Sequence, residues 1–179
     1  MTADAPLYQR LVGDAAWAQL PAVTRALHTP DPSVLFEGEA EIARGSHPMA
    51  RLAAAMLRLP ASGSAVPARV KVSLQDEGEL LERWYGGRRF ATVQGERNGQ
   101  LYERFGPFRL SFRLTGGPEG VDFHQEGVAL WFLPLPAALA PRVEARERAD
   151  GEVHVFNVRL SLPGIGLVIA YRGRLRGVG

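Results

Sequence analysis

The sequence contains no cysteine, which excludes disulfides, thiolate metal sites and a cysteine nucleophile together. It has one lysine, Lys71, so its cationic groups are almost all guanidinium, a fork that stays charged and binds carboxylate or phosphate. The arginines are spread along the chain among acidic residues. Lys+Arg of 21 against Asp+Glu of 19 leaves a net charge of only +2 despite a pI near 9.4. The cluster Arg172, Arg174, Arg176 is too short for a nucleic-acid footprint, and no nucleic-acid partner is expected. No apolar run approaches the ~20 residues of a membrane-spanning helix, so no transmembrane segment is expected. The start, Met1-Thr2-Ala3-Asp4, lacks the basic segment and apolar stretch of a signal peptide, and a cytoplasmic location is expected from it.

Standard catalytic signatures are missing as well. There is no G-x-S-x-G elbow, no P-loop and no H-E-x-x-H. Gly164-Ile165-Gly166 lacks a third glycine and follows Pro163 inside a strand-like run, so it is not a dinucleotide fingerprint. His28, His47, His124 and His154 show no ligand spacing and are expected at surface or loop positions. Neither a metal nor a cofactor is expected.

What is present is a folded chain of 179 residues, 46% hydrophobic and 22% charged, enough apolar material for one ordinary domain over 1–179. Residues 1–30 read as a helical segment. Leu7, Tyr8, Leu11 and Val12 share one helical face, Gly13-Asp14 interrupts it, and Trp17, Leu20, Val23 and Leu27 form a second stripe. Residues 34–176 read as a β-rich body. Val34, Phe36, Gly38, Ala40 and Ile42 alternate with Glu37, Glu39 and Glu41, the pattern of a half-buried strand. One further helix is predicted at about 48–58, capped by Ser46, with Met49, Leu52, Met56 and Leu57 as its docking stripe.

After Pro60 the period changes from 3.6 to two. Turn signals at Gly86-Gly87, Asn98-Gly99, Gly116-Gly117 and Asp150-Gly151 separate short alternating runs without helices between most of them. This predicts an α+β, mainly β fold, an antiparallel meander of about nine strands that forms a barrel or strongly curved sheet. The segment Pro134–Pro141 reads as a bridge or a turn of helix.

Several short motifs recur in a fixed order: Leu7-Tyr8, Arg44-Gly45, Arg83 with Tyr85-Gly86-Gly87, and Glu103-Arg104-Phe105-Gly106-Pro107. Pro134-Leu135-Pro136, Ala145-Arg146-Glu147, Leu162-Pro163 and Tyr171-Arg172-Gly173 follow. Taken together the set resembles a bacterial family known as domain of unknown function 4166, over nearly the whole chain. Where that family tends to have Trp two residues before the arginine, this sequence has Leu81. The resemblance implies no activity. It does imply a neighbourhood, because members often follow a saccharopine-dehydrogenase-like NAD(P)-binding domain, which points to an oxidoreductase as a partner.

Strand parity picks out the polar residues that face inward. Arg44 continues the face of Phe36, Ala40 and Ile42, and Arg83 lies between Leu81 and Tyr85. Glu103 is flanked by Leu101 and Phe105, Glu147 continues Val143 and Ala145, and Tyr171 extends Leu167 and Ile169. An unpaired buried ion costs several kcal/mol, so these charges need compensation. Either an arginine pairs with Glu103 or Glu147, or Arg44, Arg83, Tyr85, Glu103, Glu147 and Tyr171 line a cavity and orient a ligand.

Three functions fit. The leading one is a binding module for an apolar or amphipathic small molecule. The second is a non-catalytic accessory or interaction domain working with an NAD(P)-dependent oxidoreductase. The third is an acid/base enzyme with an inward glutamate as general base. A filled core favours the accessory domain, and a cavity favours binding.

Overall fold

Alternation along residues 33–44 produces the first strand of a barrel in the computed structural model, which describes residues 5–76 and 78–178. The opening Met1-Thr2-Ala3-Asp4, on which the expectation of a cytoplasmic location rests, lies outside the described residues. Three short helices come first, α1 (Leu7–Val12), α2 (Asp14–Gln19) and α3 (Ala22–Leu27), divided by Gly13 and Pro21. Then follow β1 (Ser33–Arg44), α4 (Pro48–Met56), β2 (Gly63–Gln75), β3 (Gly78–Tyr85), β4 (Arg88–Arg97), β5 (Gln100–Phe105) and β6 (Phe108–Gly117). β7 (Gly120–Leu130), the two-residue β8 (Leu133–Pro134), β9 (Arg142–Asp150), β10 (Val153–Leu162) and β11 (Gly166–Gly177) complete the chain.

Every pairing is antiparallel between neighbours, β11 returns to β1, and β7 bridges β6 and β9. Ten strands therefore close into an up-and-down barrel, with β8 outside it against the upper end of β7. Closure removes the sheet edges that so many short strands would otherwise expose. Two of the hairpins turn on residues with positive φ at both central positions, Gly86-Gly87 (56° and 80°) and Asn98-Gly99 (55° and 72°). That geometry matches the strand twist and favours Gly and Asn.

The weakest seam lies between β7 and β9, which pair only from Gly120–Arg148 to Phe123–Ala145. Beyond it the Gln125 side chain substitutes for the ladder. Its Nε2 donates to the Pro141 carbonyl at 2.9 Å, and its Oε1 accepts from the Val143 N–H at 2.6 Å.

The meander sorts the connections to two ends. At the closed end, α1 and α2 lie against β4 and β6, and α3 lies against β1, β9, β10 and β11. There Leu7, Tyr8 and Leu20 pack with Leu101, Phe112, Leu114 and Val121, burying the two predicted helical stripes. At the other end lie α4, the β7–β9 connection and the β3–β4, β5–β6 and β10–β11 turns.

Helix α4 departs from its predicted orientation. It buries Ala50 and Ala54, whereas Met49, Leu52 and Met56 are 51%, 52% and 75% exposed. The cause is the closeness of the backbone beneath it: Gly45 donates its N–H to the Val168 carbonyl at 3.1 Å. A Cβ on Gly45 would lie 3.3 Å from the Ala50 methyl, so only small side chains fit under the helix. The cap also differs. His47 rather than Ser46 precedes the helix, its Nδ1 accepting the Met49 N–H at 3.2 Å.

Candidate functional site

The barrel encloses a cavity of about 440 Å³, within the range of small-molecule sites. Its wall is mainly apolar, with Val70, Val72, Phe112, Phe156, Val158 and Val168 among the lining side chains. It opens at the α4 end, where Met56 and Leu139 contribute to the lining while remaining 75% and 69% exposed. Phe105, Phe108, Leu135 and Leu162 make that end of the wall apolar.

Polar groups occupy the middle and the closed end. Parity along β3, β4 and β5 aims Arg83, Thr92 and Glu103 inward on three adjacent strands. Arg83 Nη2 donates to Glu103 Oε1 at 2.9 Å, and Thr92 Oγ donates to the same oxygen at 2.7 Å. The guanidinium also lies 5.1 Å from the Phe90 ring centroid, a cation–π distance. Burial alone would raise the Glu103 carboxyl. Arg83, with hydrogen bonds from Thr92 and Gln94, outweighs it and holds the group below its ordinary value. Tyr85 and Tyr171, with ring centroids 5.5 Å apart, stand on the same wall. Burial raises both hydroxyls, so they stay protonated donors at neutral pH.

A second cluster closes the floor. His28, at the C-terminal end of α3, places Nε2 2.7 Å from Glu147 Oε2 on β9. His154 on β10 approaches the same oxygen at 4.0 Å, and the Tyr8 ring stacks on His28 with centroids 3.5 Å apart. Burial would raise the Glu147 carboxyl, but His28 by charge and hydrogen bond, with His154 and Arg83, more than offsets it and brings it to about 2. Burial lowers the His154 imidazole, with Glu147 acting against it. His28 Nδ1, His154 Nδ1 and Thr24 Oγ are buried without a hydrogen-bond partner among the described residues. No group of three or more His, Asp or Glu side chains suited to a metal ion occurs among those residues.

Five of the six residues selected by parity line the cavity: Arg83, Tyr85, Glu103, Glu147 and Tyr171. Arg44 does not. It stands at the rim, where Nε donates to the Pro60 carbonyl at 2.8 Å and Nη2 to the Leu59 carbonyl, tying the chain after α4 to the end of β1. Tyr8, Thr92, Gln94, His28 and His154 belong to the site without having been singled out by sequence. His28 and His154 are 3% and 1% exposed, against their expected surface positions. Thr92 and Gln94 share the inward parity of Phe90 along β4, a signal present in the sequence. His28 has no such parity, because it enters from a helix at the closed end of the barrel.

No curated protein matches this chain. Among solved structures, a protein of unknown function from the DUF3598 family of Nostoc punctiforme PCC 73102 is similar in fold, with a TM-score of 0.51 and 10% identity. The match covers 80% of this chain but 46% of that one, so the chain spans about half its length. At that identity the likeness concerns the fold alone. Residues 20–175 match the family described as a domain of unknown function (DUF4166), and the chain belongs to that family.

Proposed function

We propose that the barrel is a binding module for an amphipathic small molecule, held with its polar head toward the closed end and its apolar body toward α4. The observation that carries this reading is the segregated lining of the 440 Å³ cavity. A filled core would have favoured an accessory domain, and the cavity argues for a ligand instead. Arg83, Glu103, Glu147, Tyr85 and Tyr171 supply the fixed polar contacts, and the valines and phenylalanines supply the apolar area.

The electrostatics narrow the class. The buried cation, Arg83, is already matched by Glu103, and Glu147 adds a second carboxylate. Arg146 reaches the cavity only at the β7–β9 seam and is exposed. An anionic head would therefore lose its hydration without gaining a free countercharge. A neutral hydrogen-bonding head, such as an alcohol or an amide, meets the Tyr hydroxyls and unpartnered imidazole nitrogens at lower cost. The same charges argue against acid/base catalysis by Glu103 or Glu147, since both carboxylates are held below the range of an effective base at neutral pH.

Native mass spectrometry of protein from its own host should find a retained neutral amphiphile. In vitro, Nile red should brighten on binding, and hexadecanol should displace it more strongly than palmitate. Displacement by neither, or by palmitate preferentially, overturns the reading.

A further inference from the structure

We propose that the open end of the barrel docks on an anionic lipid surface. Among the described residues, all the exposed large hydrophobic side chains except Leu74 and Val178 lie at this end. Met49, Leu52 and Met56 project from α4, and Trp131 and Phe132, 69% and 78% exposed, project from the β7–β9 connection. A soluble surface does not ordinarily gather its bulky apolar groups at one end of a barrel. Trp131 also holds a φ of +56°, a left-handed conformation uncommon for a bulky residue, at the tip of its turn. Its backbone N–H is bonded to the Pro107 carbonyl on the neighbouring β5–β6 turn, which fixes the tip against the barrel. The two aromatic rings are thus presented outward by a held backbone.

Charge decides what this surface fits. The exposed Arg51, Arg58, Arg88 and Arg142 surround the apolar groups and make no ion pair among the described residues. The connections at this end, 45–62, 86–87, 106–107, 131–141 and 163–165, contain no Asp or Glu. The closed end carries Asp14, Asp31, Asp76, Glu119 and Glu152 in its helices and connections, against Arg10, which is paired with Glu96, and Arg25. The molecule is therefore polarised along the barrel axis, cationic and apolar at the mouth. A second copy docking by two-fold symmetry would set arginine against arginine with no acidic partner in the patch. A bilayer bearing anionic headgroups matches both features at once: Trp and Phe enter the interfacial layer while arginines neutralise phosphates above it. The surface surrounds the cavity opening and stands whether or not the cavity is occupied.

The test is flotation of the whole chain with phosphatidylcholine vesicles, with and without phosphatidylglycerol. The protein should float with the anionic vesicles, and omission of phosphatidylglycerol or addition of high salt should weaken binding about ten-fold or more. Trp131→Ser with Phe132→Ser should lose about as much, while Leu74→Ser at the closed end should change nothing. All three positions are exposed, and circular dichroism checks that each variant folds. Failure of the wild type to float overturns the proposal, as does unchanged flotation of the double variant. Self-association that the double variant abolishes, without vesicle binding, would assign the surface to a second copy and also overturn it. Nile red titration without vesicles reads the cavity separately, so docking and ligand binding can fail independently.

Discussion

His28 Nε2 and Glu147 Oε2 lie 2.7 Å apart although 119 residues separate them in the chain. This contact joins the helical floor to the barrel wall, and Tyr8 stacks on its imidazole from α1. The closed end is thus fastened by a polar clasp within an otherwise apolar floor.

Breaking the clasp should be costly and pH-dependent. Glu147→Gln is expected to lose about 2 kcal/mol at neutral pH, since it weakens a buried charge-assisted contact. The Glu147 pKa lies at about 2 in the folded protein, below its ordinary 4.5, so its ionised form stabilises the fold. That stabilisation is complete above pH 4.5 and disappears as pH falls toward 2. Urea unfolding across this window should show the wild-type and variant curves converging at low pH.

The Arg83–Glu103 pair should behave as one unit. Arg83→Leu leaves a buried carboxylate without its countercharge and is expected to cost about 3 kcal/mol. Replacing both residues by leucine should cost less than the sum of the single changes, which a double-mutant cycle measures. Glu37→Gln breaks the exposed pair with Arg69 and should shift stability by no more than about 0.5 kcal/mol.

Glu79 should be a liability at neutral pH. It is 3% exposed, and its Oε2 has no hydrogen-bond partner among the described residues. Burial raises its pKa, with His28, Arg10 and the Leu7 N–H countering only in part. The folded state thus holds the proton more tightly than the unfolded chain, and stability falls as pH rises from 4.5 through the raised value. Glu79→Gln is expected to stabilise by about 1 kcal/mol at neutral pH, with no gain below pH 4.5. Thermal melts at both pH values check it.

Helix α4 should respond to the size of its alanines rather than to its large residues. Leu52→Ala is expected to change stability by no more than about 0.5 kcal/mol. Ala54→Leu, at a position with 0% exposure, should cost about 1–3 kcal/mol by overpacking. Chemical denaturation of the two variants would reverse this order if the stripe were docked.

Much of the barrel is legible in the chain because strand parity is local. The alternation in 79–85, 101–105 and 143–147 depends only on neighbouring residues, and it aims Arg83, Tyr85, Glu103 and Glu147 correctly. The same rule extended back from Leu81 reaches Glu79 and extended along β4 reaches Thr92 and Gln94. Parity cannot tell how far along the barrel a side chain reaches, which is why Arg44 ends at the rim. The described residues form eleven strands, close to the nine or so expected, one of them the two-residue β8 at the start of the Pro134–Pro141 segment.

The sequence by itself therefore determined the β periodicity, the turns and most of the inward polar set, since each is written in residues two apart. Only the tertiary structure decided which arginine met which glutamate, because that depends on three strands lying side by side. It also decided that His28 and His154 would share Glu147, a contact between distant segments with no local signature. The face of α4 was settled in the same way. Periodicity marks a helix's bulky stripe as its buried side, but a backbone as close as that of Gly45 and Leu167 admits only alanine. The large side chains were left outside, where they join Trp131 and Phe132 at the barrel mouth.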